Sequence, residues 1–230
     1  MSVATSENYY EVLELPRTST ADEIKRAWAR KLRQHPPDRD PEGNRRINNA
    51  KATLLDPKGR EDYDALLDYG AEIESLLLEA QEAQEESDYE RAIKLYKEIL
   101  AFHPSSHATR NSLALAQSYA GQNIRAAKTM ANLVDRQPDV ALYWSNYGLI
   151  LQELLDEDEG TPDELREKSR YAFERAAELE PYNASHFVAL SRHFRKLDDF
   201  VKAEQYLDKA VNADGKVDMQ DFEAMFEYAY

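Results

Sequence analysis

The stretch His35-Pro36-Pro37-Asp38 marks a sharp corner between two predicted helices of this 230-residue chain. Before it, residues 22–33 repeat apolar side chains at helical spacing, and Thr20 with Glu23 supplies a capping box. The prolines end that helix because both lack an N–H donor and the second disfavours helical geometry at the first. Asp40-Pro41 then begins another helix, with Asp as N-cap. The sequence therefore predicts a helical hairpin with this corner at its tip.

Two shorter helical segments flank the hairpin. Residues 8–13 form a brief apolar-patterned segment, and a short terminal helix starts at Asp56-Pro57 and carries Arg60, Tyr63 and Asp64. Residues 1–70 are therefore expected to form a four-helix domain whose middle two helices are antiparallel.

Several short motifs of one domain family occur in order along this region. They lie at residues 9–13, 22–28, 38–41 and 56–64, with Ile47, Ala50 and Leu54 on one helix face. Through these motifs, residues 8–68 resemble the J domain of DnaJ-type co-chaperones. The resemblance implies that the domain docks on a DnaK-type ATPase chaperone.

The resemblance also implies which residues meet the chaperone. In the family, a basic helix contacts an acidic face of the ATPase, and a His-Pro-Asp tripeptide at the corner triggers ATP hydrolysis. A merely solvated helix face is the alternative interpretation of the cations, and a simple turn is the alternative for the corner. The corresponding surface here consists of Lys25, Arg26, Arg30, Arg33, His35, Pro36, Pro37 and Asp38.

The corner departs from the family pattern. Pro37 and Asp38 fall on the Pro and Asp of the tripeptide, but Pro36 stands where the His belongs and His35 lies one residue early. A shift of one residue on a helix turns a side chain by about 100°, so His35 does not simply substitute. Asn44 and Lys51 also stand at positions where the family usually has aromatic residues, which predicts a smaller core.

From residue 71 onward the chain repeats with a fixed period. Pro104 and Pro138 are 34 residues apart, as are Ala92 and Ala126, and 34 residues is the length of the tetratricopeptide repeat. Small side chains at such positions let paired helices approach closely, while aromatic ones fill the space between pairs. This part of the chain resembles tetratricopeptide-repeat (TPR) proteins.

The second domain, residues 71–230, is expected to contain four helix pairs and a C-terminal capping helix. The expected fold class is thus all-α, a J-like domain followed by an α-solenoid. The four pairs span residues 73–106, 107–140, 141–183 and 184–215, and the capping helix spans 216–230. A polar, acidic loop near residues 156–162 lengthens the third pair.

Such a solenoid presents a concave surface to a peptide of a client or partner protein. Some relatives grip acidic chaperone tails with cations on the inner helices, but the matching positions here form no cationic clamp: Leu77, Gln81, Ser112, Leu142 and Asn146. We therefore expect an extended or helical peptide, a basic one included. The predicted groove residues are Asn111, Leu115, Asn146, Leu149, Gln152, Val188 and Arg192.

Composition and charge disfavour other classes of function. The net charge of −15 divides into −1 for residues 1–70 and −14 for the remainder, which argues against nucleic acid as a partner, although solubility alone also explains it. No apolar run is long enough for membrane insertion and no export signal is visible, so we expect a cytoplasmic protein. The chain has no Cys and five scattered His, and it has no catalytic motif, so we expect no metal, no cofactor and no enzymatic activity.

Residues 212–221 resemble the middle of an EF-hand calcium loop. With Gly215 at the turn position, Ala210 stands where the first carboxylate belongs and Asp221 where a bidentate Glu is usual. The alternative is a helix C-cap at Gly215 before the capping helix. The missing first ligand favours the cap over a calcium site.

Two functional hypotheses of different classes follow. In the first, the protein is a chaperone adaptor: its J-like module engages a DnaK-type chaperone while the repeat array binds a client or partner. In the second, it is an assembly scaffold whose degenerate J-like module is structural and does not stimulate an ATPase; Pro36 supports this alternative.

Overall fold

The computed structural model describes residues 8–157 and 163–213, and within those ranges every regular element is a helix. The expected all-α fold class is thereby confirmed. The capping helix expected over residues 216–230 lies outside the described residues. So do most of the acidic loop and most of the segment that resembles a calcium loop.

Eleven helices occupy the described ranges. The first four are α1 Tyr9–Leu13, α2 Ala21–Gln34, α3 Pro41–Leu55 and α4 Pro57–Glu85. The other seven are α5 Tyr89–Phe102, α6 His107–Tyr119, α7 Asn123–Arg136, α8 Ala141–Glu157, α9 Asp163–Leu179, α10 Ala184–Lys196 and α11 Phe200–Val211.

Packing divides the chain into two compact units. The first unit contains the described residues up to Glu79 together with Glu98–Ser106. The second unit contains Ala80–Lys97 together with the described residues from His107 onward. Each unit is described by itself below.

Helix α4 contributes residues to both units. It is one helix of 29 residues; from the sequence, the helix at Ile73 could either continue the terminal helix of the J-like domain or be separated from it at Gly70. Gly70 does not end it, because a glycine inside a helix costs only about 1 kcal/mol. Burial of Ile73, Leu76 and Ala80 along the same helix outweighs that cost. The boundary placed at residues 70 and 71 therefore falls inside a helix.

The helix starts of the hairpin agree with the capping residues read from the sequence. The Thr20 hydroxyl accepts the Glu23 amide, and the Glu23 side chain accepts the Thr20 amide, so the predicted capping box of α2 is confirmed. At the start of α3, the Asp40 side chain accepts the Gly43 amide, and Pro41 occupies the first turn.

One hydrophobic cluster packs α1, α2, α3 and the first part of α4 together. Trp28 and Leu32 of α2 pack against it but keep part of their surface in solvent. Neither Asn44 nor Lys51 belongs to the cluster, as the departure from the family pattern predicts. Its buried members are Tyr10, Leu13, Ile24, Ala27, Ile47, Ala50, Leu54 and Tyr63.

Hydrogen bonds join α1, the α1–α2 loop and α4 at the base of the hairpin. The Tyr10 hydroxyl donates to Asp64 Oδ1 at 2.8 Å and accepts from Arg60 Nε at 2.9 Å. Arg60 also donates to the Ser19 carbonyl at 2.8 Å. Because these groups come from three parts of the chain, their hydrogen bonds fix the end of the hairpin opposite the corner.

In the second unit, consecutive helices pack as pairs through small side chains. The pairs are α6 with α7, α8 with α9, and α10 with α11. Ala114, Ala126, Ala176 and Ala203 are all buried in the helices that form these pairs. Short turns join α6 to α7 and α10 to α11, so each of these two pairs is an antiparallel helical hairpin.

Gly148 of α8 lies against the fully buried ring of Phe173 in α9. A Cβ at residue 148 would come within 2.6 Å of Phe173 Cε1, and the Gly148 carbonyl accepts a hydrogen bond from Ser169 Oγ at 3.2 Å. The close approach of α8 and α9 thus requires a residue without a side chain here.

We predict that Gly148→Ala lowers the free energy of unfolding by about 1–3 kcal/mol, because the added methyl group collides with a ring that has no space to move. Chemical denaturation followed by circular dichroism measures the change. Gly70→Ala is the matched control. A Cβ there meets nothing within 4 Å, so this change raises the stability by about 1 kcal/mol through helix propensity. Equal behaviour of the two variants would contradict the predicted clash.

His193 of α10 is buried among aromatic rings, with 1% of its surface exposed. Its ring centroid lies 6.1 Å from that of Phe173 and 5.5 Å from that of Phe194. Nδ1 lies 3.5 Å from Ser169 Oγ, while Nε2 has no hydrogen-bond partner among the described residues. Burial therefore lowers the pKa of His193 from 6.5 to about 4.

The buried neutral imidazole predicts acid sensitivity of the second unit. The unfolded chain takes up a proton at His193 below about pH 6.5, whereas the folded chain does so only near pH 4. The free energy of unfolding therefore decreases as the pH falls from 6.5 toward 4, and at pH 5 it is about 2 kcal/mol lower than at neutral pH. We expect His193→Gln to remove most of that loss in denaturation measured at pH 7.5 and 5. The half-buried His103 supplies the control: His103→Gln should retain the loss, and equal acid sensitivity of wild type and His193→Gln would disprove the assignment.

Candidate docking surfaces

Helix α2 turns a cationic face to solvent. Lys25, Arg26, Arg30 and Arg33 are all exposed. Arg26, Arg30 and Arg33 lie in one sector because residues four and seven positions apart return to the same side of a helix. Lys25 lies at the edge of that sector. The structure therefore brings three of the four predicted cations together.

Ion pairs occupy only part of this face. Lys25 Nζ lies 3.8 Å from a carboxylate oxygen in the first turn of α2, and Arg30 Nη2 lies 3.5 Å from a carboxylate oxygen of the residue that follows α1. In the described part of the chain, Arg26 and Arg33 form no ion pair. Their guanidinium groups are thus available to a partner without the loss of an internal ion pair.

His35 ends α2 and is bound to α3 at two points. Its Nδ1 lies 2.7 Å from Asp40 Oδ2, and its carbonyl accepts a hydrogen bond from Asn44 Nδ2 at 2.9 Å. The contact with His35, with help from the Gly43 amide, lowers the pKa of the Asp40 carboxyl. Since Asp40 Oδ1 accepts the Gly43 amide at 2.8 Å, one carboxylate caps α3 and also holds the imidazole.

The rest of the corner is compact and open to solvent. The Pro36 carbonyl accepts the amides of Arg39, at 3.0 Å, and Asp40, at 2.8 Å. Pro36 is half-buried, whereas Pro37 and Asp38 are exposed. Over residues 8–157 and 163–213, the Asp38 carboxylate has no hydrogen bond or ion pair. The corner thus presents a carboxylate beside the cationic face of α2.

Polar side chains replace aromatic ones between α2 and α3. Trp28 Nε1 donates to Asn48 Oδ1 at 3.0 Å, and Asn48 Nδ2 donates to Asn44 Oδ1 at 2.9 Å. Lys51 Nζ lies 4.2 Å from the Trp28 ring centroid, a cation–π contact. With the bond from Asn44 to the His35 carbonyl, these contacts form a continuous chain of polar interactions from Trp28 to the corner.

Asn44 and Asn48 are site-shaping residues that the sequence reasoning missed. It identified Asn44 only as a lost aromatic residue and did not single out Asn48. Their spacing of four residues, which places both amides on one face of α3, is a signal that could have found them. The sequence does not show which group a polar side chain bonds, so the hydrogen bond from Asn44 to the His35 carbonyl could be found only in the structure.

Four of the seven predicted groove residues of the second unit are buried. Asn146 Nδ2 of α8 donates to Asn111 Oδ1 of α6 at 2.9 Å, and both side chains are 9% exposed. Gln152 and Val188 are buried as well. These side chains contribute mainly to the packing of neighbouring helices and offer little surface to a peptide.

The other three predicted groove residues reach solvent. Leu149 of α8 and Arg192 of α10 are exposed, and Leu115 of α6 is half-buried. Tyr119 and Leu142 on the same set of helices are also exposed, at 63% and 55%. Since α8 packs against both α6 and α10, the three helices form a surface with both apolar and cationic side chains.

The described residues contain neither a membrane-spanning helix nor a cluster of metal ligands. No helix within residues 8–157 and 163–213 combines the length and apolar character that crossing a membrane requires. In the same ranges, no group of three or more acidic, His or Cys side chains is placed to hold a metal ion.

Comparison with known proteins identifies a large part of the first unit. The DnaJ domain family model matches residues 8–64. Chaperone protein DnaJ of Dictyoglomus thermophilum is 45% identical over 65 residues, which is 26% of this chain and 17% of that protein. Chaperone protein DnaJ 2 of Thermus thermophilus is 43% identical over 67 residues, 27% of this chain and 24% of that protein. The chain thus spans less than a quarter of the length of these relatives.

Solved structures identify the architecture of the rest. The TPR protein TTC0263 of Thermus thermophilus superposes with a TM-score of 0.55 at 18% identity, covering 63% of this chain and 75% of that chain. YrrB, described as a TPR protein with an unusual peptide-binding site, has a TM-score of 0.54 at 14% identity and covers 98% of this chain and 100% of its own. These likenesses concern the fold alone. The chain therefore joins a DnaJ domain at residues 8–64 to a TPR-like array of helices.

Proposed function

We propose that this protein is an adaptor of a DnaK-type chaperone system. Its DnaJ domain docks on the ATPase, and its helical array holds a segment of a client or partner protein. One observation carries the proposal. Arg26 and Arg33, which form no ion pair in the described structure, lie in the same DnaJ domain as the exposed Asp38 carboxylate. Such an adaptor needs no chemistry of its own.

The cationic face of α2 supplies the attraction to the chaperone. Arg26, Arg30 and Arg33 favour an acidic partner surface, and attraction between exposed charges raises the rate of encounter. Because these side chains are exposed, salt weakens the attraction. The net charge of −1 for residues 1–70 makes this face a local feature of the domain.

The Asp38 carboxylate supplies the contact that acts on the ATPase. It occupies the same position as the corner acid of the family, and no internal cation neutralises it in the described structure. An arginine of the partner would bind such a carboxylate through two parallel hydrogen bonds. We infer that His35, which is bound to Asp40, does not contact the chaperone directly.

The second unit supplies the selection of a partner. Leu142 and Leu149 of α8 and Tyr119 of α6 expose apolar surface, while Arg192 of α10 adds a cation. An extended or helical peptide with apolar side chains would bury that surface. YrrB, which shares the fold, has a peptide-binding site of its own.

A scaffold without chaperone recruitment is the second candidate. Pro36 in the corner favours it, because the family's His is absent from that position. In that case the first unit is structural, and the protein would copurify with one stable partner and no chaperone.

We predict that this protein accelerates single-turnover ATP hydrolysis by a DnaK-type chaperone of its own organism. The double change Arg26→Glu and Arg33→Glu should raise the protein concentration for half-maximal acceleration by about tenfold or more, since like charges oppose docking. Lys58→Glu is the matched control: Lys58 is equally exposed but lies at the start of α4, so its reversal should have little effect.

Three outcomes distinguish the candidates. Acceleration by the wild type that the α2 reversal weakens supports the adaptor. Acceleration only after His35→Tyr with Pro36→His, which restores the family corner, means that docking persists without a functional trigger. No acceleration and no binding by either protein overturns the adaptor and leaves the scaffold.

A further inference from the structure

The corner of the first unit is held by side-chain hydrogen bonds where the family pattern has aromatic packing. Asn44 Nδ2 donates to the His35 carbonyl at 2.9 Å, and Asp40 Oδ2 lies 2.7 Å from His35 Nδ1. Asn44 is itself oriented by Asn48, whose Nδ2 donates to Asn44 Oδ1 at 2.9 Å. We call these contacts of His35 with Asn44 and Asp40 the corner latch.

The corner latch acts on the residue where the corner begins. His35 is the C-cap of α2, and the two prolines that follow it restrict the backbone. The Pro36 carbonyl in turn accepts the amides of Arg39 and Asp40. With both ends of the corner fixed, the backbone that carries Asp38 has little freedom, although the Asp38 side chain makes no hydrogen bond or ion pair in the described structure.

We propose that Asn44 and Asp40 are positioning residues: through the corner latch they hold the Asp38 carboxylate in the orientation that acts on the partner ATPase. This inference rests on the proposed function. It assigns a role to the displaced histidine, which works from inside the corner and not at the interface. It also explains why an asparagine is useful where an aromatic residue would otherwise pack, since only a hydrogen-bond donor reaches the His35 carbonyl.

Loss of the corner latch should lower the maximal acceleration of ATP hydrolysis more than it weakens binding to the chaperone. The arginines that bring the partner to α2 do not take part in it, so its loss leaves the docking face unchanged. A mobile corner presents Asp38 correctly for a smaller fraction of the time. One hydrogen bond contributes about 1 kcal/mol, so the loss of one bond should lower the maximal acceleration about fivefold.

We test this with Asn44→Ala and Asp40→Asn in the full chain, measured by single-turnover ATP hydrolysis at increasing protein concentration. Asp40→Asn keeps a side-chain oxygen for the Gly43 amide but removes the charge that holds His35. Asn49→Ala is the matched control, since Asn49 is exposed on the same helix and gains the same helix propensity. We expect about fivefold lower maximal acceleration for both latch variants, with unchanged half-maximal concentration, and wild-type behaviour for the control.

Amide hydrogen exchange at Arg39 and Asp40 provides a readout independent of the chaperone. Both amides bond to the Pro36 carbonyl, so they should exchange faster in Asn44→Ala than in Asn49→Ala. Full acceleration by both latch variants, or unchanged exchange in Asn44→Ala, overturns the positioning role while the adaptor function stands. A wild-type protein that fails to accelerate hydrolysis overturns the adaptor itself, and the positioning role with it.

Discussion

Close approach of helices is the constraint on which both units depend. A side chain larger than a methyl group at the contact would separate the backbones and expose the apolar surface on either side. Ala50 in the first unit and Ala114, Ala126 and Ala176 in the second are fully buried at such contacts. At Gly148 even a methyl group is too large, because the Phe173 ring already fills the space.

The corner of the first unit solves a different problem. An exposed hairpin tip has too few neighbours for apolar packing to define one conformation. Here prolines reduce the number of backbone conformations, and hydrogen bonds from α3 select among those that remain. The result is an ordered tip with few apolar contacts. Such an arrangement suits a surface that must be both soluble and well defined.

Some features of the fold could be predicted because they depend on local chemistry. The capping box at Thr20 and the N-cap at Asp40 involve residues three positions apart, so the sequence contains both partners. The period of 34 residues likewise predicted the helices that pack as α6 with α7, α8 with α9 and α10 with α11. The length of α4 could not be predicted in this way, because packing of Ile73 and Leu76 decides whether Gly70 ends the helix.

The candidate sites were less predictable for a related reason. The cations of α2 were found because charge and helical spacing suffice to place them on a surface. Asn111 and Asn146 also stood at inner-helix positions, but their mutual hydrogen bond buries both, and that bond joins residues 35 positions apart. Whether a polar residue faces solvent or a neighbour depends on distances between helices, which no single helix determines.

The division of the chain into interleaved segments has a consequence for its synthesis. The first unit includes Glu98–Ser106, which the ribosome makes only after Ala80–Lys97, a segment of the second unit. A nascent chain that has just passed Glu79 therefore lacks part of the first unit, although the DnaJ family match already ended at residue 64. At typical elongation rates of about 5–20 residues per second, the missing segment follows within a few seconds. The two units thus begin to form during overlapping periods of translation, and the order of their completion does not follow simply from their order in the sequence.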